Sequence, residues 1–212
     1  MAVNFIVRAN VVDLANHLPQ RNETYLVDTN VWFWTAYPRL NDAVLDGSRY
    51  QIRAYPECLA RIRKANAKPF WCGLTFSELA HQIEEVEYQI WNRTFDVSRG
   101  RVTMKEFRHN FASERANVVK TIDGAWISVT NVAEMLSSPV TIDLAATESA
   151  RDELSRCALD GYDLFLLQTA RRSGVLNIIS DDGDLCVVPD ITLFTCNRAV
   201  IDCANRQGKL IA

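Results

Sequence analysis

A parallel-sheet α/β/α sandwich with a helical insertion at about 84–136 is the fold class this sequence predicts, and three observations lead to it. Short apolar runs that read as strands alternate with longer segments whose apolar residues step by three and four, the order that parallel crossovers require. Carboxylates recur where a strand candidate ends or the next helix opens, and in a parallel sheet those positions share one edge. The chain, with 212 residues and 48% hydrophobic content, is long enough to bury the core of one such domain.

Taken in order, residues 1–24 hold a short apolar piece, a helix-like spacing over 10–18 and a polar link. They are expected as an appendage to the sheet, with a single domain over 25–212. Tyr25-Leu26-Val27 reads as a buried strand that ends at Asp28 and turns into a helix opening near Asn30, which Pro38 stops. Residues 55–67 suggest a helix with a basic face, and 69–74 a strand. Thr75 or Ser77 then caps a long helix with Phe76, Leu79, Ile83, Val86 and Ile90 on one side and Glu78 in its first turn. Residues 93–101 read as a connection, 103–119 as a second helix and 123–136 as a third. Further strands are expected at 139–143, 176–180 and 191–195. Helices are expected at 147–157 and 164–170, the latter apolar nearly all round, introduced by Asp160 to Asp163 and ended by Gly174.

The formal charge of −3 excludes a generally basic nucleic-acid binder, but its sign varies along the chain. Bases prevail over 49–68 and again over 93–120. Beyond Thr121, acids dominate as far as Asp190 without a single lysine. The six cysteines form no C-x-x-C pair, and His17, His81 and His109 lie at no zinc-finger spacing, so small buried thiols in a reducing, cytoplasmic setting are expected. The first residues lack the basic start and cleavage site of a secretion signal, and no stretch approaches the ~18–20 apolar residues of a membrane span.

Position singles out five acids. Asp28 ends a strand, Glu78 and Asp163 open helices, and Asp182 and Asp184 follow a strand. Each is also an ordinary helix cap or turn residue when taken alone. Together they would repel one another, since two like charges ~4 Å apart cost roughly 4 kcal/mol at an effective dielectric of ~20. Such a cluster calls for a cation or raised pKa values, and hard carboxylate oxygens favour Mg²⁺ or Mn²⁺ over zinc.

The segments Val27-Asp28-Thr29-Asn30-Val31-Trp32, Leu74-Thr75-Phe76-Ser77-Glu78-Leu79, Tyr162-Asp163-Leu164-Phe165 and Ile178-Ile179-Ser180-Asp181-Asp182-Gly183-Asp184 resemble, in this order, the motifs of PIN-domain nucleases, including the VapC-like toxin ribonucleases. The resemblance spans about 25–196. It implies a metal-dependent endoribonuclease in which Asp28, Glu78, Asp163 and Asp182 are the catalytic and metal-holding quartet. Asp184 would be an accessory acid, and Asn30 and Ser180 would orient water or a carboxylate. It also implies an RNA substrate, an inhibitor protein as in a toxin–antitoxin pair, and a homo-oligomer. Leu185 stands where the family often has Phe, and the stretch from about 84 to 136 is longer than in compact members. Within that stretch Arg93, Arg101, Lys105 and Arg108 are candidates for contacting RNA.

Three other readings compete. Glu78-Leu79-Ala80-His81 and Glu106-Phe107-Arg108-His109 both have the Glu-x-x-His spacing of di-iron carboxylate bundles, but strand candidates interrupt any such bundle. An Asp-based phosphotransferase would want an acid two residues after Asp28, where Asn30 stands. A PIN-like scaffold that binds RNA or protein without cutting is the non-enzymatic alternative.

Overall fold

The computed structural model describes residues 3–43, 49–94, 102–136 and 142–211. Their strands form one seven-stranded sheet, every pair of it parallel. The strands are β1 (Asn10–Asp13), β2 (Thr24–Val27), β3 (Lys68–Trp71), β4 (Glu134–Met135), β5 (Asn177–Ile179), β6 (Thr192–Thr195) and β7 (Leu210–Ile211), in the spatial order β4-β3-β2-β5-β6-β1-β7. The helices are α1 (Thr29–Ala36), α2 (Leu40–Ala43), α3 (Arg49–Lys64), α4 (Gly73–Thr94), α5 (Met104–Asn110), α6 (Ala112–Val132), α7 (Leu144–Leu154), α8 (Gly161–Ser173) and α9 (Arg198–Arg206).

Alternation along the strands builds two cores, one on each face of the sheet. Val12, Tyr25, Val27, Ile179 and Phe194 point to a cluster completed by Trp32, Leu59, Leu79, Phe107 and Val129 from α1, α3, α4, α5 and α6. Val11, Leu26, Ile178 and Leu193 point to the other, completed by Ala150, Leu167 and Val200 from α7, α8 and α9. Neighbouring residues of β2 thus serve opposite layers, as the two-residue period of a strand demands. The expected α/β sandwich is the observed architecture.

Several local expectations change. The spacing over 10–18 is not helical: Val11 and Val12 are buried on opposite faces, and β1 pairs with both β6 and β7. The segment expected as an appendage therefore contributes an interior strand. α3 already includes Arg49, ahead of the expected residue 55, and runs through Pro56, whose missing N–H removes one bond while Tyr55, Leu59 and Ile62 anchor the helix in the core. α4 begins at Gly73. Thr75 is within the helix and its hydroxyl accepts from the Cys72 N–H at 3.2 Å, so Glu78 lies in the second turn.

The second and third helices of the long stretch break at Phe111 and not near residue 120. A capping box between Thr103 and Glu106 opens α5, and α6 then runs unbroken with Val118, Ile122, Ala125 and Val129 buried. The stretch re-enters the sheet as β4, paired with β3. Most of the strand expected at 139–143 lies outside the described residues, and Asp143 is instead the N-cap of α7. Sequence patterning missed α9 and β7, which follow β6. The parallel sheet removes the di-iron bundle reading. Among the described residues no helix is long and apolar enough to cross a membrane, and all six cysteines are buried and free.

Candidate active site

The sheet order turns at β2, which has β3 on one side and β5 on the other. Ligand crevices of parallel α/β sheets open at the carboxyl ends of strands beside such a reversal. Asp28 stands there. It follows Val27, which pairs with Ile179, and its own N–H donates to the Ile179 carbonyl at 3.0 Å.

Asp28 is the N-cap of α1, its Oδ1 accepting from the Thr29 N–H at 2.6 Å. Its Oδ2 accepts from Ser180 Oγ and from Asn30 Nδ2, each at 2.6 Å. Asn30 also donates to Ser180 Oγ at 3.1 Å and accepts the Asp181 N–H on its Oδ1 at 3.1 Å. Ser180 Oγ in turn accepts the Asp182 N–H at 2.9 Å. The trio Asp28, Asn30 and Ser180 thereby ties the end of β2 to the turn after β5.

The other acids gather around this trio. Asp163 sits in the first turn of α8, which Asp160 caps through the Tyr162 and Asp163 N–H groups. Asp163 is buried, and its Oδ2 has no hydrogen-bond partner among the described residues. Burial, followed by the charges of Asp28, Asp182, Asp160 and Glu78, pushes its carboxyl up to about 9. Burial likewise raises Asp28 to about 7; Glu78 and Asp182 add to the rise, and the bonds from Ser180 and Thr29 oppose it. Burial raises Glu78 as well, with Asp160 and Asp182 reinforcing the shift and the Thr29 side chain opposing it. Asp184 is raised by partial burial and by Asp182 and Asp160. Repulsion and desolvation both disfavour the charged forms here.

The fold therefore brings Asp28, Glu78, Asp163, Asp182 and Asp184 within electrostatic reach of one another, with Asn30 and Ser180 beneath them. Asp160 belongs to the same pocket. Sequence reading weighed it only as a cap, although its spacing three residues before Asp163 is what holds it there. Among the described residues, no three Asp, Glu, His or Cys side chains are set closely enough to hold a metal ion as they stand. The donor set is nonetheless all hard oxygen, and Asp163 Oδ2 is an unmet acceptor, which suits Mg²⁺ or Mn²⁺ in chemistry and charge.

The acidic turn divides its labour. Asp181 points away from the pocket into α3: Tyr55 Oη and Tyr50 Oη donate to its Oδ1 at 2.6 and 3.0 Å, and Gln51 Nε2 to its Oδ2 at 2.5 Å. Asn197 holds the Asp181 carbonyl at 2.9 Å. Sequence reasoning missed this anchor because its α3 partners, Tyr50, Gln51 and Tyr55, lie more than a hundred residues away. Phe5 covers the other side of the turn: an added Cβ on Gly183 would sit 2.4 Å from the tip of its ring.

The basic candidates fare differently. Arg108 is bound to Glu84 through Nε at 2.8 Å and Nη2 at 2.5 Å, and Arg115 binds the same carboxylate at 2.6 Å. Together they pin α5 and α6 to α4. Arg93 is exposed and reaches the Asp42 carbonyl at 3.4 Å, Lys105 is exposed on α5, and Arg101 lies outside the described residues. Glu106, half of the second Glu-x-x-His pair, is engaged in the capping box with Thr103.

No model of a known protein family matches the chain, and no curated protein or solved structure matches it significantly.

Proposed function

We propose that this protein is a metal-dependent endoribonuclease of the PIN type. The observation that carries the reading is the arrival of Asp28, Glu78, Asp163 and Asp182, from four separate segments, at the carboxyl edge of the sheet beside its reversal, in the order the sequence resemblance requires. Asp28, Glu78, Asp163 and Asp182 would hold Mg²⁺ or Mn²⁺, which when bound supplies an activated water and a counter-charge for phosphodiester hydrolysis. The chain's own contribution is to fix Asp28 through Thr29, Asn30 and Ser180, to hold Asp182 by its backbone on Ser180, and to keep Asp163 dry. Asp184 and Asp160 extend the negative rim. Attack by water leaves a 3′-hydroxyl and a 5′-phosphate.

The toxin of a toxin–antitoxin pair, or a related cytoplasmic defence nuclease with an inhibitor protein and a second copy as partners, is the setting we propose on the same resemblance. Fold and site alone do not specify physiology. One observation favours the non-catalytic alternative: no three acids stand at metal-holding spacing among the described residues.

A single assay separates the two readings. End-labelled single-stranded RNA and total tRNA are incubated with wild type and Asp28→Asn in Mg²⁺, Mn²⁺ or EDTA, and product ends are mapped. Cutting that needs metal, leaves 5′-phosphates and falls at least ~100-fold in the variant is expected, a loss in the range of removing one catalytic group. Cleavage equal in both proteins, or absent from both, sinks the nuclease reading for those RNAs.

A further inference from the structure

The acids occupy the carboxyl edge of the sheet; the opposite edge carries a cleft of the other sign. It has a volume of about 500 Å³ and lies where β2, β3 and β4 begin. Arg21 precedes β2, Arg63 lies in the last turn of α3, and Lys68 is the first residue of β3, so three elements bring three cations to one cavity. Asn22 and Asn66 line it too. Glu134 is the one acid among the described residues that line it.

None of the side chains of Arg21, Arg63, Lys68, Asn22 and Asn66 makes a hydrogen bond or ion pair among the described residues. Five donor-bearing groups therefore face a shared space with a single acidic neighbour. The loops that carry them are fixed to one another by main-chain bonds. The Asn22 N–H donates to the Asn66 carbonyl at 3.2 Å, and the Lys68 N–H donates to the Glu23 carbonyl at 2.8 Å. Both asparagines adopt left-handed backbone, φ 65° and 55°, which asparagine tolerates better than most residues and which lets each chain turn sharply into its strand. The cations are thus displayed on a braced frame. Arg63 also complements the carbonyl end of the α3 dipole, but that role asks for no particular partner for its guanidinium.

An excess of donors and positive charge over acceptors selects an anion with many acceptor oxygens. Guanidinium forks match phosphate oxygens in pairs, and lysine adds a point charge. The cavity is within the ~300–1,000 Å³ typical of small-molecule sites and larger than one phosphate needs. We propose that this cleft binds a ligand bearing two or more adjacent phosphates, at a site separate from the carboxylate pocket. The phosphates can belong to a small di- or triphosphate compound or to the backbone of RNA. The proposal does not depend on the nuclease reading, because the two sites sit at opposite edges of the sheet.

The test is calorimetric titration of the full chain with inorganic pyrophosphate and, separately, with a 5′-phosphorylated oligoribonucleotide. Low salt and EDTA prevent any cation from bridging phosphate to the acids. Saturable binding of either probe is expected, weakened at least tenfold by Arg63→Glu and by Lys68→Glu and unchanged by Asp163→Asn. Far-UV circular dichroism checks that each variant is folded, and Arg21→Gln serves as a milder second probe of the same cavity. Pyrophosphate that binds and is not displaced by the oligonucleotide points to a small phosphate compound; mutual displacement, or binding of the oligonucleotide alone, points to RNA. Failure of both probes to bind, binding indifferent to Arg63, Lys68 and Arg21, or binding lost in Asp163→Asn overturns the proposal.

Discussion

Replacing Asp163 by Asn tests whether the acid pocket is held against its own electrostatics. The carboxyl sits at about 9 against an ordinary 3.8. A carboxyl raised on folding contributes stability that is full below its unfolded pKa and is lost progressively as pH rises to the folded value. At pH 7 the fold has forgone roughly 4 kcal/mol on this group, from about three pH units at 1.36 kcal/mol each, and at about pH 5 less than half of that. Part of the burden is shared with Asp28, whose charge repels Asp163, so about 2 kcal/mol is a sound allowance for the single residue at pH 7. Asparagine keeps the shape and removes the titration, but its amide meets a space where Oδ2 has no partner, costing about 1–3 kcal/mol at every pH.

The variant should therefore match or trail wild type at about pH 5 and overtake it by about pH 8, and the relative gain of roughly 2 kcal/mol corresponds to about 4–8 °C in Tm for a chain of this size. The assay is thermal unfolding in EDTA across that pH range, repeated with Mg²⁺ or Mn²⁺. Metal should raise the wild-type Tm at the alkaline end and leave the variant nearly unmoved. A constant offset between the two proteins at all pH values would refute the reasoning and make Asp163 a structural residue of α8.

Two further outcomes are expected. Glu84→Gln should lower stability by about 1–3 kcal/mol, because two arginines lose their shared buried carboxylate but remain partly wet; RNA cleavage, measured alongside denaturant unfolding, should fall no more than twofold. Since Arg108 holds the Glu84 carboxyl below the usual range, the stability this group supplies is present above its unfolded pKa and lost as pH falls through the folded one. Gly183→Ala should destabilise by about 1–2 kcal/mol through collision with Phe5, and the effect should vanish in a Phe5→Ala background; a penalty that persists there would place its origin elsewhere.

What was legible in the sequence follows from range. β2, β5 and the opening of α8 could be read because an apolar run interrupted by an acid is a local signal, and the same signal named Asp28 and Asp163 and the acidic turn after β5. β1 escaped because four residues flanked by polar turns look alike on either period, and only pairing with β6 and β7 decides the matter. The helix expected over 55–67 is longer, because tertiary burial of Tyr55 and Leu59 carries α3 through Pro56. Nothing in Asp181-Asp182-Gly183-Asp184 tells which acid faces the pocket. Tyr50, Gln51 and Tyr55, brought from a distant helix, turn Asp181 away. Arg108 read as a surface base because Glu84, which neutralises it, is more than twenty residues back.

The two cores separated by the sheet give the acid pocket a mechanical character. α1 and α4, rooted in one core, carry Asp28 and Glu78, while α8, rooted in the other, carries Asp163. The pocket is thus a seam between two layers on opposite faces of the sheet, bridged at the start of α4 where Leu74 packs toward the α8 side. Sliding either layer over the sheet changes the gap between acids of opposite origin, whereas rearrangement within a layer leaves it intact. Disturbances that unseat α8 should therefore draw Asp163 away from Asp28 and Glu78.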